Sequence, residues 1–138
     1  LKLERFPDWP QRVGAFMRDR ATVPFAWGRN DCAIFAADAI LAATGHDMAE
    51  AFRGRYRTKR GARLVLRAHS WADLEALADT FLPRRHERAR RGDVVLYAGQ
   101  HGDFLGVVWG GAVVGPDDRG LRTWPIDADL IRATWSVG

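Results

Sequence analysis

Pro24-Phe25-Ala26-Trp27-Gly28-Arg29-Asn30-Asp31-Cys32 leads into the apolar run Ala33-Ile34-Phe35-Ala36-Ala37-Asp38-Ala39-Ile40-Leu41-Ala42-Ala43, which Thr44-Gly45 closes. Asn30 is a good N-cap, since its side-chain oxygen can accept a backbone N–H that a first helical turn leaves unpaired. The glycine is a natural helix stop. A helix apolar on every side belongs at the centre of a domain. Asp38 is its one charged residue and needs a partner if it lies inside. Cys32 sits two residues past the expected cap, where unpaired N–H groups and the helix dipole favour a thiolate. Thiol enzymes place nucleophiles there. The plainer reading is a small buried residue packed like alanine.

Upstream, Asp8-Trp9-Pro10 signals a helix start, with Asp8 as cap and the proline in the first turn. Val13, Phe16 and Met17 follow helical spacing, which predicts a helix over 9–20. Downstream, residues 46–62 are polar and arginine-rich, with Gly54 and Gly61 interrupting any long helix. Ala62 to Ala68 can be helical. Ser70-Trp71-Ala72-Asp73 has the pattern of a capping box, and Leu74, Leu77, Ala78 and Phe81 supply a helical stripe that ends before Pro83. After Gly92 the period changes. Val94–Tyr97, Phe104–Trp109, Ala112–Val114, Leu121–Trp124 and Leu130–Val137 read as strands, with Gly110-Gly111 as a two-residue hairpin turn. Helices first and strands last, without alternation, predict an α+β fold with an antiparallel sheet. The length of 138 residues predicts one domain over 1–138.

The single cysteine rules out an intrachain disulfide and a multi-cysteine zinc site, and suits a reducing compartment or a catalytic role. No cofactor or metal is expected. The net charge is +4 and Lys2 and Lys59 are the only lysines, so a basic, arginine-dominated surface favours acidic partners: nucleic acid, an anionic cell-wall polymer or another protein. No apolar run reaches the ~18–20 residues of a membrane span. The opening residues lack the apolar stretch of a signal peptide, and the chain begins at Leu1 without a methionine, as after removal of a leader or short N-terminal segment. A thiol nucleophile needs a base. Among His46, His69, His86 and His101, His101 is the best placed, just before a core strand, although its polar turn equally suits a loop histidine. Arg84, Arg85, Arg88, Arg90 and Arg91 can meet phosphates or carboxylates. No aromatic residues interleave them as on a single-strand platform, so nucleic acid is the less favoured partner, against a solvated loop or a protein contact.

Pro24-Phe25-Ala26-Trp27-Gly28 followed by Asp31-Cys32 resembles the nucleophile segment of NlpC-type, papain-like cysteine peptidases. Gly92-Asp93-Val94-Val95-Leu96 resembles their Gly-Asp strand, and Phe104-Leu105-Gly106-Val107-Val108 their His-x-Gly-Ile strand. Phe52-Arg53-Gly54-Arg55-Tyr56 with Gly61-Ala62 resembles an uncharacterised branch found in bacteriophages and prophages, near tail-tip genes. The resemblance implies a papain-like core, N-terminal helices packed on a C-terminal antiparallel sheet, and cleavage of peptidoglycan stem peptides. It places Cys32 as nucleophile, beside Asp31, and Phe25, Trp27, Gly28, Gly92, Asp93, Phe104 and Gly106 in the structural motif. The family's base falls at Phe104, its tyrosine at Phe25, and its third polar position near Val114 or Gly115. His101 is then a displaced base, about 10 Å from Phe104 along an extended strand and on the other face unless Gly102 folds the loop back. Two expectations follow. One is a phage tail-tip structural or binding protein on a degenerate fold, docking on the tail hub and contacting peptidoglycan, with Arg84, Arg85 and Arg88 as candidate contacts. It would reside in the virion tail tip, or in the bacterial cytoplasm during assembly. The other is an active cell-wall thiol peptidase or amidase using Cys32 and His101.

Overall fold

The apolar run forms α2, Cys32–Thr44, and Gly45 stops it with φ of 80°. The structure, a computed structural model, describes residues 3–138, so the expectations about the extreme N-terminus at Leu1 and Lys2 lie outside the described residues. Ile34, Phe35, Ala36 and Ala37 are fully buried, as a helix apolar all round requires. Asp38 has its partners: Arg20 on one oxygen and Arg53, at 2.6 Å, on the other.

Helix α1, Trp9–Arg20, packs against α2 through Val13 and Met17. Asp8 does not cap it. Its carboxylate accepts from Arg12 at 2.7 Å, an i,i+4 pair that competes with the cap geometry. Helix α3, Lys59–Ala68, starts earlier than its apolar residues suggest, because Thr58 caps it by accepting from Gly61 N–H. Helix α4, Leu74–Phe81, is capped by Asp73, which accepts from Ala76 N–H, rather than by Ser70; Ser70 sits at φ of 65°, outside any helix.

The strands are β1 Val94–Gly99, β2 Gly102–Trp109, β3 Ala112–Asp117, β4 Gly120–Trp124 and β5 Ile131–Trp135. They form one antiparallel sheet in the order β4-β3-β2-β1-β5. The expected α+β architecture is therefore present. The Gly110-Gly111 turn joins paired Trp109 and Ala112, with both glycines at positive φ. The two sheet faces carry different loads. Val94, Leu96, Leu105, Val107, Val114 and Trp135 join the helices in the main core. Val95, Tyr97, Val108 and Val113 face the other way, with Phe104 and Trp124 packed over them.

Both rims of the sheet meet main chain. Beside β5, Arg85 N–H donates to Thr134 O and Ser136 N–H to Pro83 O. At β4, Leu121 N–H donates to Ala21 O at the end of α1.

Gly106 faces Val113 so closely that an added Cβ would stand 2.5 Å from a valine methyl carbon. We expect Gly106→Ala to cost about 1–3 kcal/mol through overpacking, read as a lower urea midpoint at unchanged slope. An unchanged midpoint would show that the sheet yields there freely.

Candidate functional site

Two loops and a helix start build the site. Asp31, not Asn30, caps α2: its side chain accepts from Ile34 N–H at 2.9 Å. Asn30 is held elsewhere, donating to Val23 O and Pro24 O and accepting from Arg20 at 2.9 Å. Cys32 is consequently the first helical residue. The second carboxylate oxygen of Asp31 accepts from Gly28 N–H at 2.9 Å and from the Tyr56 hydroxyl at 2.6 Å. Asp31 is nearly inaccessible, so all three hydrogen bonds are buried.

Tyr56 was not legible as a site residue. Its bond crosses 25 residues, and only tertiary structure shows it. Its loop is pressed onto the Gly28 turn: Gly54 N–H donates to Gly28 O at 2.9 Å, and a Cβ at Gly28, whose φ is 81°, would lie 2.0 Å from Tyr56 O. Burial, the Asp31 charge and the hydrogen bond to Asp31 all push the Tyr56 phenol up, keeping it a donor.

The thiol departs from expectation. Burial foremost, then the neighbouring Asp31 charge, pushes Cys32 up to about 12, against weaker opposing contributions from hydrogen bonds to the backbone of Leu105 and Ala33. Desolvation at this helix start opposes the thiolate that the dipole would favour. No imidazole is among the groups setting its acidity.

Phe104, where the resemblance puts a base, lies in an aromatic cluster, 5.4 Å from the Tyr97 ring and 4.6 Å from Trp124. Gly99, Gly106 and Gly115 leave room for this ring: a Cβ on each would come within 2.9, 3.6 and 3.9 Å of it. Val114 and Gly115, at the third position, are buried in β3. Phe25 stands edge-on to Trp27 at 4.8 Å, and its N–H donates to Asp117 O.

Cys32, Phe25, Trp27, Tyr56, Phe104 and His101 line one cleft of about 980 Å³ between α3, the start of α4 and the sheet. His101 is exposed, in the turn between paired Gly99 and Gly102. The sulfur meets the backbone of Leu105, four residues further along β2, which is about 13 Å of extended chain. The structure thus brings Cys32, Asp31 and Tyr56 together and leaves His101 at the rim. His46 lies beyond the far end of α2 beside Phe81, His69 stacks on Trp71, and His86 is exposed in the loop after α4.

Gly92-Asp93 has a bracing role. Asp93 is fully buried and accepts from Arg85 at 2.6 Å and from Arg90 N–H at 2.8 Å. Arg84 is bound to Glu75 and Asp79. Two of the three candidate contact arginines, Arg84 and Arg85, are therefore engaged within the fold, while Arg88 is exposed. Among the described residues, no group of His, Cys, Asp and Glu is arranged to hold a metal ion, and no helix is long and apolar enough to cross a membrane.

A cysteine opening the central helix, packed on an antiparallel sheet after N-terminal helices, defines an NlpC/p60-like fold. The solved NlpC/p60 domain of the peptidoglycan hydrolase SagA superposes with a TM-score of 0.57 at 13% identity, covering 91% of this chain and 97% of that one. Residues 4–137 match the family described as a domain of unknown function, DUF6950, and the chain belongs to that family. A search of curated proteins finds no match.

Proposed function

We propose that this protein is a bacteriophage or prophage tail-tip component, a single binding domain on an NlpC-like fold that docks on the tail hub, contacts peptidoglycan and does not cleave it. One observation carries the noncatalytic reading: Phe104, packed against Tyr97 and Trp124, stands where the resemblance puts the base, and burial pushes the neighbouring Cys32 thiol up rather than down. A thiol in that state lacks the nucleophile, and the site lacks a proton donor for the leaving amine. The tail assignment draws on the likeness of Phe52–Tyr56 and Gly61-Ala62 to the phage branch. The peptidoglycan contact draws on the neighbouring fold of a peptidoglycan hydrolase. Its place is then the assembled virion tail tip, reached from the bacterial cytoplasm during assembly.

The second reading, a thiol peptidase with His101 as displaced base, is favoured by one fact: His101 and Cys32 line the same cleft, with Gly102 at φ of 120° between His101 and the strand. Digestion of purified peptidoglycan separates the two. The expected result is no stem-peptide fragment beyond a Cys32→Ala control; Cys32-dependent fragments would establish the peptidase instead. Immunodetection in purified virions tests the tail role, and absence there would end it.

A further inference from the structure

Between Ala51 and Ala72 the chain carries seven basic residues and no acidic one. Arg53 is paired with Asp38 and Asp47. The other six, Arg55, Arg57, Lys59, Arg60, Arg63 and Arg67, are exposed and form no ion pair among the described residues. The arginines around 84–91 contrast with them: Arg84 and Arg85 are ion-paired, and Arg91 lies over Trp9 and Trp109. The longest run of exposed, unpaired cations among the described residues is therefore on and beside α3, with Arg18, Arg29, Arg88, Arg90 and Arg119 exposed elsewhere.

Half of that run faces the cleft. Lys59, Arg63 and Arg67 line the cleft wall above Cys32. They recur every four residues, so they form a row along one helix face with a rise of about 6 Å between successive cations. The acidic residues of the same cleft are mostly committed: Asp73 caps α4, Glu75 pairs with Arg84, Asp103 with Arg132 and Asp117 with Arg122. Only Asp118 is exposed and unpaired.

We infer that this cleft docks an extended acidic segment of a partner protein, its carboxylates laid along the Lys59-Arg63-Arg67 row and its alternate side chains against the aromatic floor of Trp27, Phe104 and Trp124. In an extended chain, side chains on one face recur about every 6.6 Å, close to the rise of the cation row. The volume, about 980 Å³, is at the upper end of the range for small-molecule sites, which suits several residues of peptide. This inference rests on the docking reading above and gives that docking a surface and a partner chemistry.

The test uses a capped peptide of alternating glutamate and serine, with affinity followed against salt. Binding is expected to weaken as salt rises, and Arg63→Glu/Arg67→Glu is expected to weaken it about tenfold or more, as loss and reversal of several exposed charge contacts should. Arg12→Glu/Arg18→Glu, an equal charge change at exposed sites on α1 outside the cleft lining, is expected to change it less than about twofold. Saturating peptide is also expected to slow alkylation of Cys32 on the cleft floor. Equal losses in the two variants, absence of binding, or no protection of Cys32 overturns the inference. So does tighter binding of an oligothymidylate of equal charge or of a soluble muropeptide. Such failures leave the noncatalytic reading intact, whereas Cys32-dependent hydrolysis would remove that reading whatever the peptide does.

Discussion

At neutral pH, iodoacetamide is expected to modify Cys32 about a thousandfold more slowly than an unhindered cysteine, because only the thiolate reacts and the ionised fraction falls tenfold per unit of raised pKa. The shift behind this expectation runs from 9.0 to about 12 and comes chiefly from burial. The pH profile is as diagnostic as the rate. The logarithm of the rate should rise with unit slope from neutrality to beyond pH 10, without levelling. A plateau between pH 5 and 8 would mean a thiolate stabilised by an imidazolium, and would restore the peptidase reading. The same shift has a sign in stability. A thiol with a folded pKa above its unfolded value retains its proton longer in the folded state. Its contribution is complete below about pH 9 and is lost as pH rises towards 12. Cys32→Ala should therefore lose less stability than the parent across that alkaline window, with both measured by urea unfolding at each pH.

The second large effect is at Asp31. Asp31→Ala removes the α2 cap and leaves Gly28 N–H, Ile34 N–H and the Tyr56 hydroxyl without their acceptor in a buried site. A lost cap together with unsatisfied buried donors amounts to about 3–5 kcal/mol, a fall in Tm of roughly 10–20 °C for a chain of this size. Tyr56→Phe should cost less, about 1–2 kcal/mol, because the carboxylate keeps both backbone donors. A loss at Asp31→Ala no larger than at Tyr56→Phe would mean that water replaces the carboxylate, and that the loops do not depend on it.

These two residues also mark what the sequence makes legible. The apolar run after Cys32, the change of period after Gly92 and the paired glycines at 110 and 111 are local signals, and each produced its element. Caps were less readable. Asn30 and Asp31 are both competent, and the choice falls to Asp31 because Arg20 and the Val23 and Pro24 carbonyls engage Asn30. Asp8 gave up its cap to Arg12, and Asp73 rather than Ser70 caps α4. The two readings of Cys32, helix-start thiolate and buried thiol, are not separable in sequence, because a helix dipole is local whereas the burial that pushes the thiol up depends on tertiary packing. The arginines show the same limit. Arg85 looks like a surface contact until Asp93 and Ser136, the latter 51 residues away, are found beside it.

The rims of the sheet bear on how this chain behaves in a crowd. Unpaired edge strands recruit other strands, and proteins that reach high local concentration must blunt them. Here the β5 edge already has neighbours in the Pro83–Arg85 segment, and β4 is five residues long, pinned at Leu121 and carrying exposed Arg122. Edge-to-edge stacking of copies into filaments is closed off on one side and discouraged on the other. Growth of an assembly by strand addition between copies is thereby disfavoured at both rims.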